Sequence, residues 1–208
     1  MGNNNYNNLI AGVGINDVDY KLHIKEFTGT YYPSGDKKYK QVWVCPYYTK
    51  WCSMLQRCYS KKSLLNNPTY KDCFVCKEWL TFSNFREWMS TQDYEGKHLD
   101  KDLLVVGNKI YSSETCIFIT PKVNNFISEM SVRTTYKSTG ASLYKNGGVI
   151  GRVKNPYSGK YEYLGIFETE ETAHTAWKRR KHELACELAN SEYFCDDRVS
   201  TALRIRYI

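Results

Sequence analysis

The sequence predicts an α+β protein, and three features of the 208-residue chain support this fold class. Residues 97–125 have the order strand, turn, strand, helix. Residues 141–165 contain three short strand-like segments that are separated by turn sequences. Residues 169–189 then show the apolar spacing of one long helix. We therefore expect a mixed N-terminal domain, followed by a three-stranded antiparallel sheet that packs on one helix.

The composition excludes several classes of protein. The chain is 42% hydrophobic and 25% charged, which is typical of a globular protein and not of a disordered one. No apolar run reaches membrane-spanning length, and the Asn-rich start lacks the apolar region of a signal peptide. We expect a soluble, cytoplasmic protein. Its formal charge of +7 favours a polyanionic partner, and a monomer is favoured although the oligomeric state stays open.

The N-terminal half contains two predicted helices. Apolar residues recur at helical spacing over residues 47–59, and an aromatic stripe follows over residues 81–89. We interpret both as core helices rather than as a DNA-contact helix and a base-stacking platform. Before them, residues 32–36 predict a turn that leads into a small basic cluster at 37–40. The glycines of residues 9–15 favour an extended edge segment.

The eight cysteines permit two interpretations. Cys73 and Cys76 form a single CxxC pair, whereas structural zinc sites usually combine two such pairs. We therefore expect reduced thiols, as is usual in the cytosol. The alternative is a structural zinc ion held by Cys45, Cys58, Cys73 and Cys76.

Residues 97–125 also carry side chains that suit a divalent cation. Asp100 belongs to the first predicted strand, and Asp102 is expected on the same face because alternate strand residues share a face. The predicted helix that follows is expected to carry Asn124 and Asn125 inward. Carboxylate and amide oxygens suit Mg²⁺ or Mn²⁺ better than zinc. One such cation is predicted here, and a solvated strand edge is the alternative.

The segment SSETCIFITPKVNN resembles the second strand and helix of the HNH, or ββα-metal, nucleases, in particular the homing-type endonucleases encoded by phages. GVGIND, CPYY and the WxxMLxRCY pattern are associated with the same nucleases. The resemblance implies a DNA endonuclease domain over residues 1–130. Asp100 matches the acidic residue before the general base, and Asn124 matches the last metal ligand. Lys101 stands where the family has its general-base His, and Thr115 stands where it has its middle Asn.

The resemblance implies metal-dependent hydrolysis of a phosphodiester bond, as a nick or a double-strand break. Asp100 and Asn124, with Asp102 as a further ligand, would hold the cation against the scissile phosphate. An imidazole is the usual base near neutral pH, so His98 is a second candidate beside Lys101. The competing interpretation is an HNH fold that has lost its chemistry and binds DNA or a host factor. A third, an RNA-binding or inhibitory phage protein, is favoured only by the aromatic content.

Residues 139–190 resemble the APETALA-type DNA-binding domain of plant transcription factors, which also occurs on phage HNH nucleases. The resemblance rests on three strands, one long helix and the junction LGIFETEETA. It implies that the sheet enters the major groove of double-stranded DNA. The implied contacts are the outward side chains of Lys145, Arg152, Lys154, Lys160 and Tyr161.

The distribution of charge supports the same partner. Residues 131–182 contain ten lysines and arginines against four aspartates and glutamates, a balance of +6. Ordinary strand-edge lysines are the alternative explanation. Residues 131–138 lack apolar periodicity and are predicted as a linker. The tail, residues 191–208, ends in an apolar-basic alternation that predicts an edge strand on either domain.

Overall fold

The computed structural model describes residues 9–128, 138–191 and 196–208. The described residues are 40% helix and 25% strand, so the predicted α+β class is confirmed at this level. The strands are β1 (His23–Tyr31), β2 (Lys37–Val44), β3 (Phe74–Val75), β4 (His98–Asp100), β5 (Ile110–Tyr111), β6 (Ile117–Ile119), β7 (Ala141–Leu143), β8 (Val149–Lys154) and β9 (Tyr161–Phe167). The helices are α1 (Pro46–Tyr59), α2 (Lys61–Asn66), α3 (Phe82–Ser90), α4 (Pro121–Ile127), α5 (Glu170–Ser191) and α6 (Asp197–Ile205), with 3₁₀ turns at Pro68–Tyr70, Glu78–Leu80 and Lys145–Gly147.

The chain forms two compact units, and these do not divide at the predicted linker. The first unit contains the chain up to Gln92 together with Lys109–Thr115. The second contains Asp93–Asn108 and the chain from Cys116 onward. The stretch 97–125 is therefore shared between the two units. Apart from Ser138, the predicted linker lies outside the described residues.

The first unit is built on the two helices that the apolar spacing predicted. Their predicted faces are buried, and the core-helix interpretation is confirmed for both. Trp51 Nε1 donates a hydrogen bond of 2.7 Å to the backbone oxygen of Trp79, which ties α1 to the chain before α3. The carboxylate of Asp17 accepts from the backbone N–H (3.0 Å) and the hydroxyl (2.5 Å) of Ser83 at the start of α3. This cap lies 66 residues away in sequence, so local capping patterns did not predict it.

The first unit also contains a hairpin whose strands the sequence did not predict. β1 and β2 pair antiparallel, with Phe27 opposite Tyr39. The predicted turn between them is present, since the N–H of Tyr32 donates to the oxygen of Asp36 at 2.8 Å. The extended edge segment predicted for residues 9–15 is wrong. Ala11 and Gly12 have positive φ angles of 52° and 82°, so the chain turns there.

The second unit begins with two antiparallel strands and a helix. β4 pairs with β6, placing Asp100 opposite Ile117, and α4 follows β6 after one residue and contacts β4. The hydroxyl of Thr120 accepts from the backbone N–H of Val123 at 3.3 Å and caps this helix, whose first residue is Pro121. Strands and helix therefore occur in the predicted order.

The same strands and helix share a hydrophobic core with the C-terminal helices. Ile119 of β6, Leu184 of α5 and Leu203 of α6 belong to one cluster of buried residues. Each Å² of apolar surface buried in such a cluster stabilises the fold by about 25 cal/mol. This shared core explains why residues 116–127 group with the C-terminal half instead of with residues 1–92.

The three-stranded sheet is present as predicted. Its order is β7-β8-β9, all antiparallel, and all three strands contact α5. Thr169 caps α5, since its hydroxyl accepts from the backbone N–H of Thr172 at 3.2 Å. Glu170 and Glu171 lie in the first turn, where a negative charge favours the helix. The predicted packing of three strands on one helix is confirmed.

The predicted edge strand in the tail is wrong, because the described part of the tail forms α6. Asp196 is the N-cap of this helix, and its carboxylate accepts a hydrogen bond from the backbone N–H of Arg198 at 2.9 Å. Val199, Ala202 and Leu203 are buried at intervals of three and one residues, which is the spacing of one helical face. The apolar-basic alternation at the end of the chain misled the strand prediction.

One ion pair joins the sheet to α5 and supplies a test of their packing. Arg180 Nε donates to Glu162 Oε2 at 2.7 Å, and this contact lowers the pKa of the Glu162 carboxyl. We expect Glu162→Gln to lower the free energy of unfolding at pH 7 by up to about 1 kcal/mol, because the pair is partly exposed. The difference in unfolding free energy between variant and wild type should be present above the unfolded pKa of Glu, about 4.3. It should vanish as the pH falls through the lower pKa that Glu162 has in the folded protein. Urea unfolding at pH 7 and pH 3 measures it; a difference that persists at pH 3 contradicts the ion-pair origin.

Candidate functional site

Asp100 ends strand β4, and its carboxylate shapes the turn that follows. Oδ1 accepts from the backbone N–H groups of Asp102 (2.9 Å) and Leu103 (2.6 Å). Burial raises the pKa of the Asp100 carboxyl, and these two hydrogen bonds partly offset the increase. A carboxylate has about four lone-pair positions, so Asp100 retains the capacity to bind a cation while it holds the turn.

Lys101 is a buried residue, with 6% of its surface exposed, and its ammonium group holds the loop that follows. Nζ donates to Asp102 Oδ1 at 2.5 Å and to the backbone oxygen of Asn108 at 2.8 Å. The Asn108 amide in turn donates to the backbone oxygen of Lys101 at 2.8 Å. A general base needs a lone pair directed at water, whereas the Lys101 ammonium donates hydrogen bonds to two acceptors. The geometry therefore favours a structural role for Lys101.

The other predicted catalytic and metal-binding residues occupy different positions around this turn. His98 lies on β4 opposite Ile119 and is exposed. β4 ends at Asp100, so the strand alternation that predicted a shared face for Asp102 does not extend to that residue. Asn124 is half-buried in α4, whereas the neighbouring Asn125 is exposed and not turned inward as predicted.

Thr115, to which the HNH resemblance assigns the place of the middle Asn, belongs to the first compact unit. Its hydroxyl donates to the backbone oxygen of Ile110 at 2.8 Å and lies 3.1 Å from the hydroxyl of Ser112. These contacts hold the end of the loop after β5. They give Thr115 a local structural role within its own unit.

Within residues 9–128, 138–191 and 196–208, no three His, Cys, Asp or Glu side chains form a group that could hold a metal ion. Of the four cysteines proposed for zinc, Cys45, Cys58 and Cys73 are buried and Cys76 is half-buried. Burial raises the pKa of the Cys76 thiol, which disfavours the thiolate that a zinc ion requires.

The outer face of the three-stranded sheet combines cations with tyrosines. Arg152 on β8 lies opposite Tyr163 on β9, and Lys154 lies opposite Tyr161. Both tyrosines are highly exposed, at 63% for Tyr161 and 61% for Tyr163, and both cations are exposed. Val153 between the two cations is buried in the core cluster with α5. The alternation of strand side chains therefore places four potential contact groups on one surface.

The remaining predicted DNA contacts lie at the turns of the same sheet. Lys145 is exposed in the 3₁₀ turn before β8. Lys160 is exposed in the turn before β9, where its backbone oxygen accepts from the N–H of Asn155 at 2.9 Å. Sequence reasoning missed Tyr163, although the alternation from Tyr161 predicts that both tyrosines share a face.

Two of the basic residues counted in the charge excess are used inside the protein. Arg180 pairs with Glu162, Glu183 and Glu187. Lys181 is buried, and its Nζ donates to the backbone oxygen of Phe126 at 2.6 Å. The positive charge available to a ligand in this unit is therefore smaller than the sequence count indicates. The cations on the outer face of the sheet, Arg152 and Lys154, are part of what remains.

In the part of the chain that the structure describes, no helix is long and apolar enough to cross a membrane. The chain matches no family model, no curated protein and no solved structure.

Proposed function

We propose that the protein binds double-stranded DNA through the outer face of β8 and β9. The observation that carries this proposal is the register of that face, in which Arg152 lies opposite Tyr163 and Lys154 opposite Tyr161. Arginine and lysine bind phosphate oxygens and the base edges of guanine. Tyrosine adds a flat apolar surface with a hydroxyl that can reach a phosphate or sugar. Strands with this composition suit the major groove, which admits β-structure.

The packing of the sheet supports the choice of this face. The opposite face lies against α5, so the outer face is the one that the described residues leave open to a large ligand. Ile166 adds exposed apolar surface to the two tyrosines, with 52% of its surface exposed. Exposed apolar groups beside cations are typical of an interaction surface. The same groups could stack on the bases of single-stranded nucleic acid, so the experiment must separate the two ligands.

The test is a double variant of the sheet cations. We expect Arg152→Gln with Lys154→Gln to weaken binding to a 30-base-pair duplex by about 10–100-fold at 0.1 M salt, because two phosphate or base contacts are lost. The salt dependence of log K should become less steep by about 2, at about 0.9 per phosphate contact. Fluorescence anisotropy titrations at several salt concentrations measure both quantities.

A matched control removes the same amount of charge from a surface outside the sheet. Lys178→Gln with Arg179→Gln removes two exposed charges from α5 in the same unit. This control should lose less than about 3-fold in affinity, as expected for long-range charge alone. Equal losses in the two variants would contradict the sheet assignment. Tighter binding to a single strand than to the duplex would contradict double-stranded DNA as the ligand.

A second candidate function is metal-dependent DNA hydrolysis at the turn after β4. The observation that favours it is the succession β4, β6, α4 with Asp100 at the end of the first strand, in the same unit as the DNA-binding sheet. Asp100 and Asn124, with Asp102, would hold the Mg²⁺ or Mn²⁺ that the HNH resemblance implies. Such a cation would polarise the phosphate and stabilise the departing oxygen.

The engaged ammonium of Lys101 favours the competing interpretation, a DNA-binding protein of this fold without chemistry. Among the proposed residues, His98 is exposed on the same strand and remains the candidate base. Plasmid nicking with Mg²⁺, with Mn²⁺ and with EDTA separates the two interpretations.

A further inference from the structure

The hairpin of β1 and β2, which we call the ribbon, is covered by little of the described part of its own unit. All nine residues of β1 are exposed, and six of the eight residues of β2 are exposed as well. The two strands pack mainly against each other. At the base of the ribbon, His23 contacts the ring of Tyr48 edge-on at 5.7 Å. Among the described residues, the ribbon packs on little besides itself, and an isolated two-stranded ribbon is only marginally stable in water. Burial in a core therefore does not explain its sequence.

One face of this ribbon carries a cluster of aromatic rings. Phe27 lies opposite Tyr39 with ring centres 6.0 Å apart, and Tyr31 contacts Phe27 at 5.4 Å. Lys37 Nζ lies 5.6 Å from the centre of the Phe27 ring. All three rings remain between 41% and 54% exposed. The cluster therefore presents apolar surface to solvent with a cation at its edge, which is typical of a binding surface.

The charges of the ribbon indicate what kind of partner fits it. Four lysines lie on its strands against one acid on the strands and one in the turn. Glu26 lies directly opposite Lys40, and Asp36 accepts a hydrogen bond from the hydroxyl of Ser34 at 2.8 Å. The net charge of +2 over residues 23–44 complements a polyanion. A second copy of the same ribbon would instead bring lysines near lysines, because a two-fold interface places the same patch on both sides.

The dimensions of the ribbon fit a groove of duplex DNA. Nine residues at about 3.3 Å per residue extend about 30 Å, or roughly nine base pairs. The major groove of B-DNA is about 12 Å wide and admits a two-stranded β-ribbon. Lysines on a ribbon of this length can reach phosphates on both sides of the groove.

We infer that the β1–β2 ribbon is a second contact for double-stranded DNA, in which the aromatic cluster lies against the groove and Lys25 and Lys37, on the same face, bind phosphates. The choice of duplex DNA as ligand rests on the proposed function of the sheet. The residues are different ones and belong to the other compact unit, so the two contacts can fail separately.

The experiment uses the full chain and the 30-base-pair duplex. The ribbon variant combines Lys25→Gln with Lys37→Gln; its control combines Lys61→Gln with Lys62→Gln, two exposed lysines of the same unit. We expect the ribbon variant to bind at least about 10-fold more weakly at 0.1 M salt, with a log K slope less steep by about 2. The control should lose less than about 3-fold. Circular dichroism confirms that each variant is folded.

The outcomes separate this inference from the proposed function. If the ribbon variant matches its control while the sheet variant loses binding, the ribbon is not a DNA contact and the sheet still is. If the ribbon variant loses binding and the sheet variant does not, the sheet assignment fails and the ribbon inference stands. Light scattering that shows a wild-type dimer and a monomeric Phe27→Gln, Tyr39→Gln variant would overturn the ribbon inference in favour of self-association. A wild-type chain that does not bind duplex overturns both.

Discussion

Gly140→Ala is expected to destabilise the second unit severely. A Cβ atom at this position would lie 2.1 Å from Cγ and 2.6 Å from Cβ of Trp177. The Trp177 Cβ is fixed by the backbone of α5, so a rotation of the indole cannot relieve the contact. Trp177 also belongs to the buried core of the unit, where its ring contacts Tyr207 edge-on at 6.1 Å. The φ angle of +84° adds strain for any residue with a Cβ.

The expected loss in the free energy of unfolding is about 2–5 kcal/mol. Left-handed backbone costs about 1–2 kcal/mol for an alanine, and overpacking a dense core costs about 1–3 kcal/mol more. Gly159→Ala is the control, because its φ is +69° but no atom lies within 4 Å of the added Cβ. It should lose only the backbone term. Urea unfolding monitored by circular dichroism measures both, and equal losses would show that Trp177 is not the obstacle.

The elements that the sequence predicted correctly are those specified by local patterns. Helix α1 buries Trp51, Met54, Leu55 and Cys58, which is the set that helical spacing predicts. Turn sequences and a Thr cap likewise located the three-stranded sheet and the start of α5. In these segments the interactions that decide the structure lie within a few residues of one another.

The features that sequence reasoning missed depend on distant partners. Lys101 is buried because the oxygen of Asn108 and the carboxylate of Asp102 surround its ammonium, and only the folded loop assembles them. The ribbon strands β1 and β2 lack the alternation of a half-buried strand, since both faces are exposed. The division into units follows a core that joins β6 to α5 and α6 across more than 60 residues of sequence. Local periodicity contains no information about that core.

Asp100→Asn is expected to separate the stability of the turn from any chemistry at it. An amide oxygen can still accept the N–H groups of Asp102 and Leu103, so the turn should persist. Burial raises the pKa of Asp100, so ionising this carboxyl group costs more in the folded chain than in the unfolded chain. The ionised carboxylate therefore destabilises the fold at pH 7. This penalty is absent below the pKa of the unfolded chain, about 3.9. The variant should therefore unfold at a higher urea concentration than wild type at pH 7. This advantage should disappear as pH falls toward 3.5.

The same variant tests whether the turn hydrolyses DNA. If Asp100 binds the cation, Asp100→Asn should reduce plasmid nicking in Mg²⁺ or Mn²⁺ by at least about 100-fold, because even an outer-shell change at a metal site costs 10–100-fold. Duplex affinity through the sheet should stay within about 3-fold of wild type.

Asp197→Asn, an exposed change in the first turn of α6, is the control for nicking. A variant that is more stable, binds duplex and nicks as fast as wild type would exclude Asp100 from the chemistry. Absence of metal-dependent nicking by the wild type would favour a protein that binds DNA without cleaving it. That outcome would agree with the engaged ammonium of Lys101 at the position where the HNH resemblance implies a base.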